Sequence, residues 1–132
     1  MAATATHTPL QAIDFAKPNE VREFPKGKVE LITINGVTFG RATFNPGWKW
    51  STHLKPIAGT ESCQAPHLGV QLSGTMHIKM DDGTEMDLPP GSVVNIPPGH
   101  DGWVVGNDPV VFIDITGMEN YAKQSKSSSK AA

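Results

Sequence analysis

Gly91-Ser-Val-Val-Asn-Ile-Pro97-Pro98-Gly99-His100 is the stretch on which the fold reading turns. Val93, Val94 and Ile96 make a short β-branched run, and Pro97-Pro98-Gly99 stops it abruptly. A histidine stands directly beyond the stop. Upstream, a second glycine-bounded stretch runs from Gly47 through His53 and His67 to Gly74, again with histidines at set distances.

Outward from these two stretches the chain reads as short segments divided by Gly, Pro, Asn and Asp. Val29–Ile34 is followed by Asn35-Gly36, the strongest short hairpin signal, and then by Val37–Phe44. Met76, Ile78 and Met80 alternate with His77 and Lys79, Asp81-Asp82-Gly83 makes the turn, and Thr84 to Leu88 returns. Trp103–Val105 and Val110–Ile115 complete the body. No segment sustains a helical period, so an all-β sandwich or barrel is predicted. The domain reading is a flexible segment over 1–12, one β-barrel domain over 13–120, and a disordered Lys/Ser-rich tail over 121–132.

Bulk properties exclude several classes. With 132 residues, a net charge of −2 and no basic stripe, the chain offers no electrostatic footprint for nucleic acid. No apolar run approaches the roughly 20 residues a membrane helix needs. The N-terminus lacks the basic and apolar regions of a secretion signal, and the single Cys63 forbids an internal disulfide. A cytoplasmic location is the expectation.

The two glycine-bounded stretches resemble the two signature motifs of the cupin superfamily. The first motif of that family is G-x5-H-x-H-x3,4-E-x6-G. Gly47 and His53 match its start, Lys55 stands at its second histidine, and His67, six residues short of Gly74, stands at its glutamate. Pro56 to Pro66 is longer than the family's spacer. The second motif is G-x5-P-x-G-x2-H-x3-N. Gly91, Pro97 and Gly99 match it, Gly102 holds the histidine position, His100 lies two residues earlier, and Asn107 falls one beyond the asparagine. The resemblance spans about residues 40–116. It implies a jelly-roll β-barrel, the double-stranded β-helix, with its site inside the barrel.

The resemblance also implies a divalent transition metal (Fe, Mn, Ni, Cu or Zn) held by His53, His67 and His100. An imidazole at 67 binds such metals as readily as the family's carboxylate does, with one negative charge fewer. Period two puts His53 and Lys55 on one face of a strand, and likewise His67 and Gln71. Lys55 either turns outward, is deprotonated by burial and the metal's field, or meets a substrate anion. Asp101 either forms a turn or moves a proton. Cys63 is a soft ligand or a small buried hydrophobe, and nothing fixes the direction of Glu61. Trp50 and Trp103, with Gln71, are expected to wall a substrate pocket.

Two functions follow. One is a metal-dependent cupin enzyme acting on a small organic substrate, of the dioxygenase type, with Lys55 and Asp101 as catalytic groups. The other is a non-catalytic small-ligand-binding or sensory cupin without metal. A homodimer is expected, formed through the Val29–Ile34 strand as an exposed sheet edge.

Overall fold

The structure is a computed structural model that describes residues 9–116, 118 and 121–123. Three strands open it: β1 (Glu20–Phe24), β2 (Gly27–Ile34) and β3 (Val37–Phe44). Six follow: β4 (His67–Ser73), β5 (Thr75–Met80), β6 (Glu85–Leu88), β7 (Val93–Ile96), β8 (His100–Val105) and β9 (Val110–Asp114). They pair antiparallel throughout, in a six-stranded sheet ordered β1-β2-β3-β9-β4-β7 and a three-stranded sheet ordered β6-β5-β8. No helix among the described residues is long and apolar enough to cross a membrane.

The hairpin between β2 and β3 forms where Asn35-Gly36 stands, with φ of 49° and 77° at the two turn residues. Positive φ at both positions gives a turn twist that matches the flanking strands. The β2–β3 register then runs unbroken from Ile34↔Val37 to Gly27↔Phe44. β2 is therefore not an edge. β1 covers its free side, and Val29 to Ile32 are all buried. The expectation of dimerisation through an exposed Val29–Ile34 edge loses its premise.

The inner faces of the two sheets enclose the core. Alternation puts Val29 and Leu31 of β2, Ala42 and Phe44 of β3, and Val110 and Phe112 of β9 inside. Phe24, Phe44 and Trp48 cluster together, with Phe44 and Trp48 ring centroids 4.2 Å apart.

The strand expected over Gly47–Lys55 is not formed. Lys49 makes one bridge to Trp103, and the chain then coils into α1 (Trp50–His53) and α2 (Lys55–Ala58). Two features drive the coil. Trp50 and Leu54, one helical turn apart, are both 2% exposed, so a turn buries both on one side. Pro56 pre-sets φ at the start of α2, and Gly59 in left-handed conformation closes it with an N–H bond to the Lys55 carbonyl. Lys55 itself is helical despite preceding proline.

Candidate metal centre

His67 opens β4, whose burial alternates, so His67, Gly69 and Gln71 face inward while Leu68 and Val70 face out. His100 opens β8 with the same alternation, so His100, Gly102 and Val104 face inward while Asp101 and Trp103 do not. The two-residue displacement of His100 from the family position thus keeps its facing. Position 102 is tight for a side chain: a Cβ there would lie 2.9 Å from Ile78 Cδ1, which would have to shift.

Cys63 arrives from the long stretch between α2 and β4. It makes an antiparallel bridge to His100, its N–H donating to the His100 carbonyl at 2.7 Å and its carbonyl accepting from Gly99 N–H at 2.7 Å. The bridge sets the thiol beside both imidazoles. Cys63, His67 and His100 are all buried, and their ligand atoms lie within 4.8 Å of one another. Cys63 Sγ stands 3.8 Å from His67 Nε2.

The second contacts of the two rings fix how they face this group. His67 Nδ1 lies 2.5 Å from Asp114 Oδ2, a carboxylate buried to 0% exposure at the end of β9. His100 Nδ1 donates to the Pro97 carbonyl at 3.0 Å. With Nδ1 engaged in both rings, Nε2 is the ring nitrogen each has left for a metal. An imidazole oriented by carboxylate or carbonyl at its far nitrogen is the usual arrangement of a metal-ligating histidine. Burial, and then the neighbouring His67, push His100 down to about 4, so it stays neutral. Burial pushes the Cys63 thiol up to about 11. The Asp114 Oδ1 atom accepts from Thr116 N–H at 2.9 Å, which anchors the carboxylate.

His67 and His100 border a cavity of about 50 Å³, walled by Phe44, Trp48, Trp50, Gln71 and Phe112 among others, whose lining does not include Cys63. Met118 and Tyr121 close it. Tyr121 packs edge-on against His67 with centroids 5.1 Å apart, and Arg22 donates to the carbonyls of Met118 and Tyr121 at 2.9 and 2.8 Å. The stretch read as a disordered tail therefore begins inside the barrel. Residues 124–132 and 1–8 lie outside the described residues.

His53, expected as the first ligand, stands outside this group. Its position on α1 turns it to the surface, where Nδ1 accepts from Lys49 N–H at 3.0 Å. Lys55, expected beside the site, lies outside the cavity lining and pairs with Glu61 at 3.1 Å. Asp101 Oδ1 accepts from the backbone N–H groups of Ser51 and Gly102 at 3.0 and 2.9 Å, tying α1 to β8. Trp103 stacks on His77 at 4.6 Å beneath Lys49, away from the cavity. Trp50 and Gln71 do line it. Asp114 and Tyr121 are the residues that sequence reasoning missed. An acid in the apolar run Val110–Ile115, two positions from Phe112, was the available signal for Asp114.

The residues fit a transition metal. One thiol and two imidazoles form a donor set that would suit zinc, iron or copper.

Comparison with known proteins agrees on the fold. No family model matches the chain, and no curated protein matches it in sequence. Solved structures do match. A protein of unknown function from Acidithiobacillus ferrooxidans, of the DUF1255 group, has a TM-score of 0.57 at 15% identity over 88% of this chain and 99% of that one. KdgF from a Halomonas species has a TM-score of 0.51 at 15% identity, over 73% and 84% of the two chains. A cupin-like protein from Thermotoga maritima has a TM-score of 0.50 at 17% identity, over 74% and 73%. At such identities the likeness shows the fold alone: this chain has a cupin-type, double-stranded β-helix barrel.

Proposed function

We propose that this chain is a metal-dependent cupin that holds a divalent transition metal through Cys63, His67 and His100 and acts on a small organic molecule in the adjoining cavity. The observation that carries the reading is the convergence of three buried donors, two of them already oriented at their far nitrogens. When bound, the metal would supply Lewis acidity and, as iron, the capacity for dioxygen chemistry. A dioxygenase-type oxidoreductase remains the reaction class we favour. The chain's own part is definite. Asp114 orients His67, Pro97 orients His100, and the apolar wall with Tyr121 excludes water. The thiol proton of Cys63 leaves on metal binding.

One observation favours a second reading, a non-catalytic ligand-binding barrel. Lys55 and Asp101 are both engaged away from the cavity, so neither is placed to move a proton there. Metal analysis of untagged protein separates the two. Near-stoichiometric transition metal, lost in Cys63→Ala and His67→Ala but kept in His53→Ala, is expected. Protein that also fails to take up iron, manganese, nickel, copper or zinc at neutral pH would falsify the metal reading.

The same reading takes the chain as a homodimer in the reducing cytoplasm, where its free Cys63 suits the compartment. Its contact would be the apolar outer face of β4, β7 and β9.

A further inference from the structure

Cys63 comes to the donor group on a loop, and one side chain outside that group ties the loop down. The start of β8 has a neighbour on each side. On one side β5 ends at Met80, which pairs with His100, and the Asp81 N–H continues the ladder by donating to the Gly99 carbonyl at 2.9 Å. On the other side Cys63 makes its bridge to His100, and its carbonyl accepts from the Gly99 N–H. The Asp81 side chain spans all three: its Oδ2 accepts from the Ser62 hydroxyl at 2.8 Å.

That reach passes over Gly99. A Cβ at position 99 would lie 2.9 Å from Asp81 Oδ2, the same oxygen that holds Ser62. The glycine therefore leaves open the path by which β5 reaches the Cys63 loop. Ser62 is buried, its hydroxyl also accepts from Gln64 Nε2 at 3.0 Å, and its carbonyl accepts from Thr60 Oγ1 at 2.7 Å. Thr60 and Gln64 belong to the loop, and Glu61 pairs with Lys55 of α2. Apart from the Cys63–His67 contact, the Ser62–Asp81 bond is the side-chain tie between this loop and the barrel strands among the described residues.

We propose that Asp81 is a positioning residue of the metal centre: by holding Ser62 across Gly99, it keeps Cys63 within reach of His67 and His100. This role rests on the reading of those three residues as metal ligands. Asp81 acts through Ser62 and the backbone, one residue away from Cys63 on the loop and from His100 on β8.

Two measurements on the full chain test it. The first needs no metal: the rate at which Cys63, the one cysteine, reacts with dithionitrobenzoate. The second uses cobalt(II), whose near-ultraviolet thiolate band reports a Cys63–metal bond. Asp81→Ala and Ser62→Ala should each speed the thiol reaction by about tenfold, weaken cobalt binding by about tenfold and diminish the band. Asp81→Asn keeps an oxygen in the same place and should stay within about threefold of wild type in both. Asp82→Ala removes the turn's own bond to the Thr84 N–H but spares the tie to Ser62, so it should change neither. Should Asp81→Ala fail to fold, Ser62→Ala carries the test. Alanine variants that change neither measurement overturn the proposal, as does an Asp82→Ala that matches them or an Asp81→Asn no better than alanine. If the wild type takes up no cobalt while the alanine variants still free the thiol, the metal reading fails alone. If the wild type shows the thiolate band and the alanine variants leave both measurements unchanged, this proposal fails alone.

Discussion

Cys63 and His100 share one burial but respond to it in opposite ways. Burial raises the thiol to about 11 and lowers the imidazole to about 4. Over the alkaline range below the thiol's value, binding releases the Cys63 proton. Apparent metal affinity should therefore rise about tenfold per pH unit from about pH 7.5 to about pH 9.5, measured by competition with a chelator. A flat profile would show that Cys63 is not a ligand. Asp114→Asn keeps the shape of the His67 partner but weakens its hold on Nδ1. Metal affinity should fall by about 10- to 100-fold, with the fold preserved by circular dichroism. On the outer face, His77 is clamped by Asp87 at 2.6 Å and Glu85 at 2.7 Å, and these bonds raise its pKa. A raised value in the folded state means stability fully present below the unfolded value of about 6.5 and lost as pH rises through the folded value. Denaturant midpoints should fall across that window in the wild type, and His77→Gln should flatten the fall. Its two carboxylate partners are exposed to solvent, so the effect is small.

At the scale of elements, the latch on the cavity is a β1 residue. Arg22 holds the carbonyls of Met118 and Tyr121, which close the cavity from the far end of the sequence. Hydrogen bonds from a charged donor contribute about 1.5–3 kcal/mol each, so Arg22→Ala should speed release of bound zinc to a chelator by roughly tenfold or more. Unchanged release would mean that the Met118–Tyr121 stretch does not gate the site. The strands around this site were legible in the sequence, because period-two alternation and the Asn35-Gly36 turn are local signals. So was the shared facing of His67 and Gln71, which follows from parity along β4, whereas the facing of His100 beyond the Pro98-Gly99 turn was left to the structure. The Trp50–Ala58 coil was not. Its residues match a strand by parity, but burying Trp50 and Leu54 on one side and starting a helix at Pro56 override the pattern. That switch turns His53 and Lys55 outward. Cys63 replaces them through a bridge to His100, a pairing 37 positions distant that no local pattern encodes. Asp114 and Tyr121 depend likewise on long-range packing.

For the whole molecule, the outer face of the six-stranded sheet is the surface left to explain. Leu68, Val70 and Leu72 of β4 project outward beside Val93 of β7, and Ile115 follows β9. Val70 pairs with both Val93 and Ile113, so the rows are contiguous. Val93 is 78% exposed and Leu72 54%, high values for residues in the middle of an apolar patch. Leu68, Val70, Leu72, Val93 and Ile115 themselves carry no charge. A neutral apolar face is complementary to itself, which suits a second copy related by a twofold axis. A stable dimer buries roughly 800 Å² per partner, more than these side chains alone supply. The groove of about 450 Å³ between β6 and β7, which shares Val93 with the patch and includes Met86, would extend the contact. Light scattering should therefore give twice the 14.1 kDa chain mass at micromolar concentration. Leu72→Lys with Val93→Lys should return a folded monomer, since a charge at the centre of the contact would be buried unpaired. Val37→Lys, at the exposed tip of the β2–β3 hairpin, should remain dimeric. A wild type that scatters as a monomer at all concentrations would leave this face to another partner and overturn the dimer.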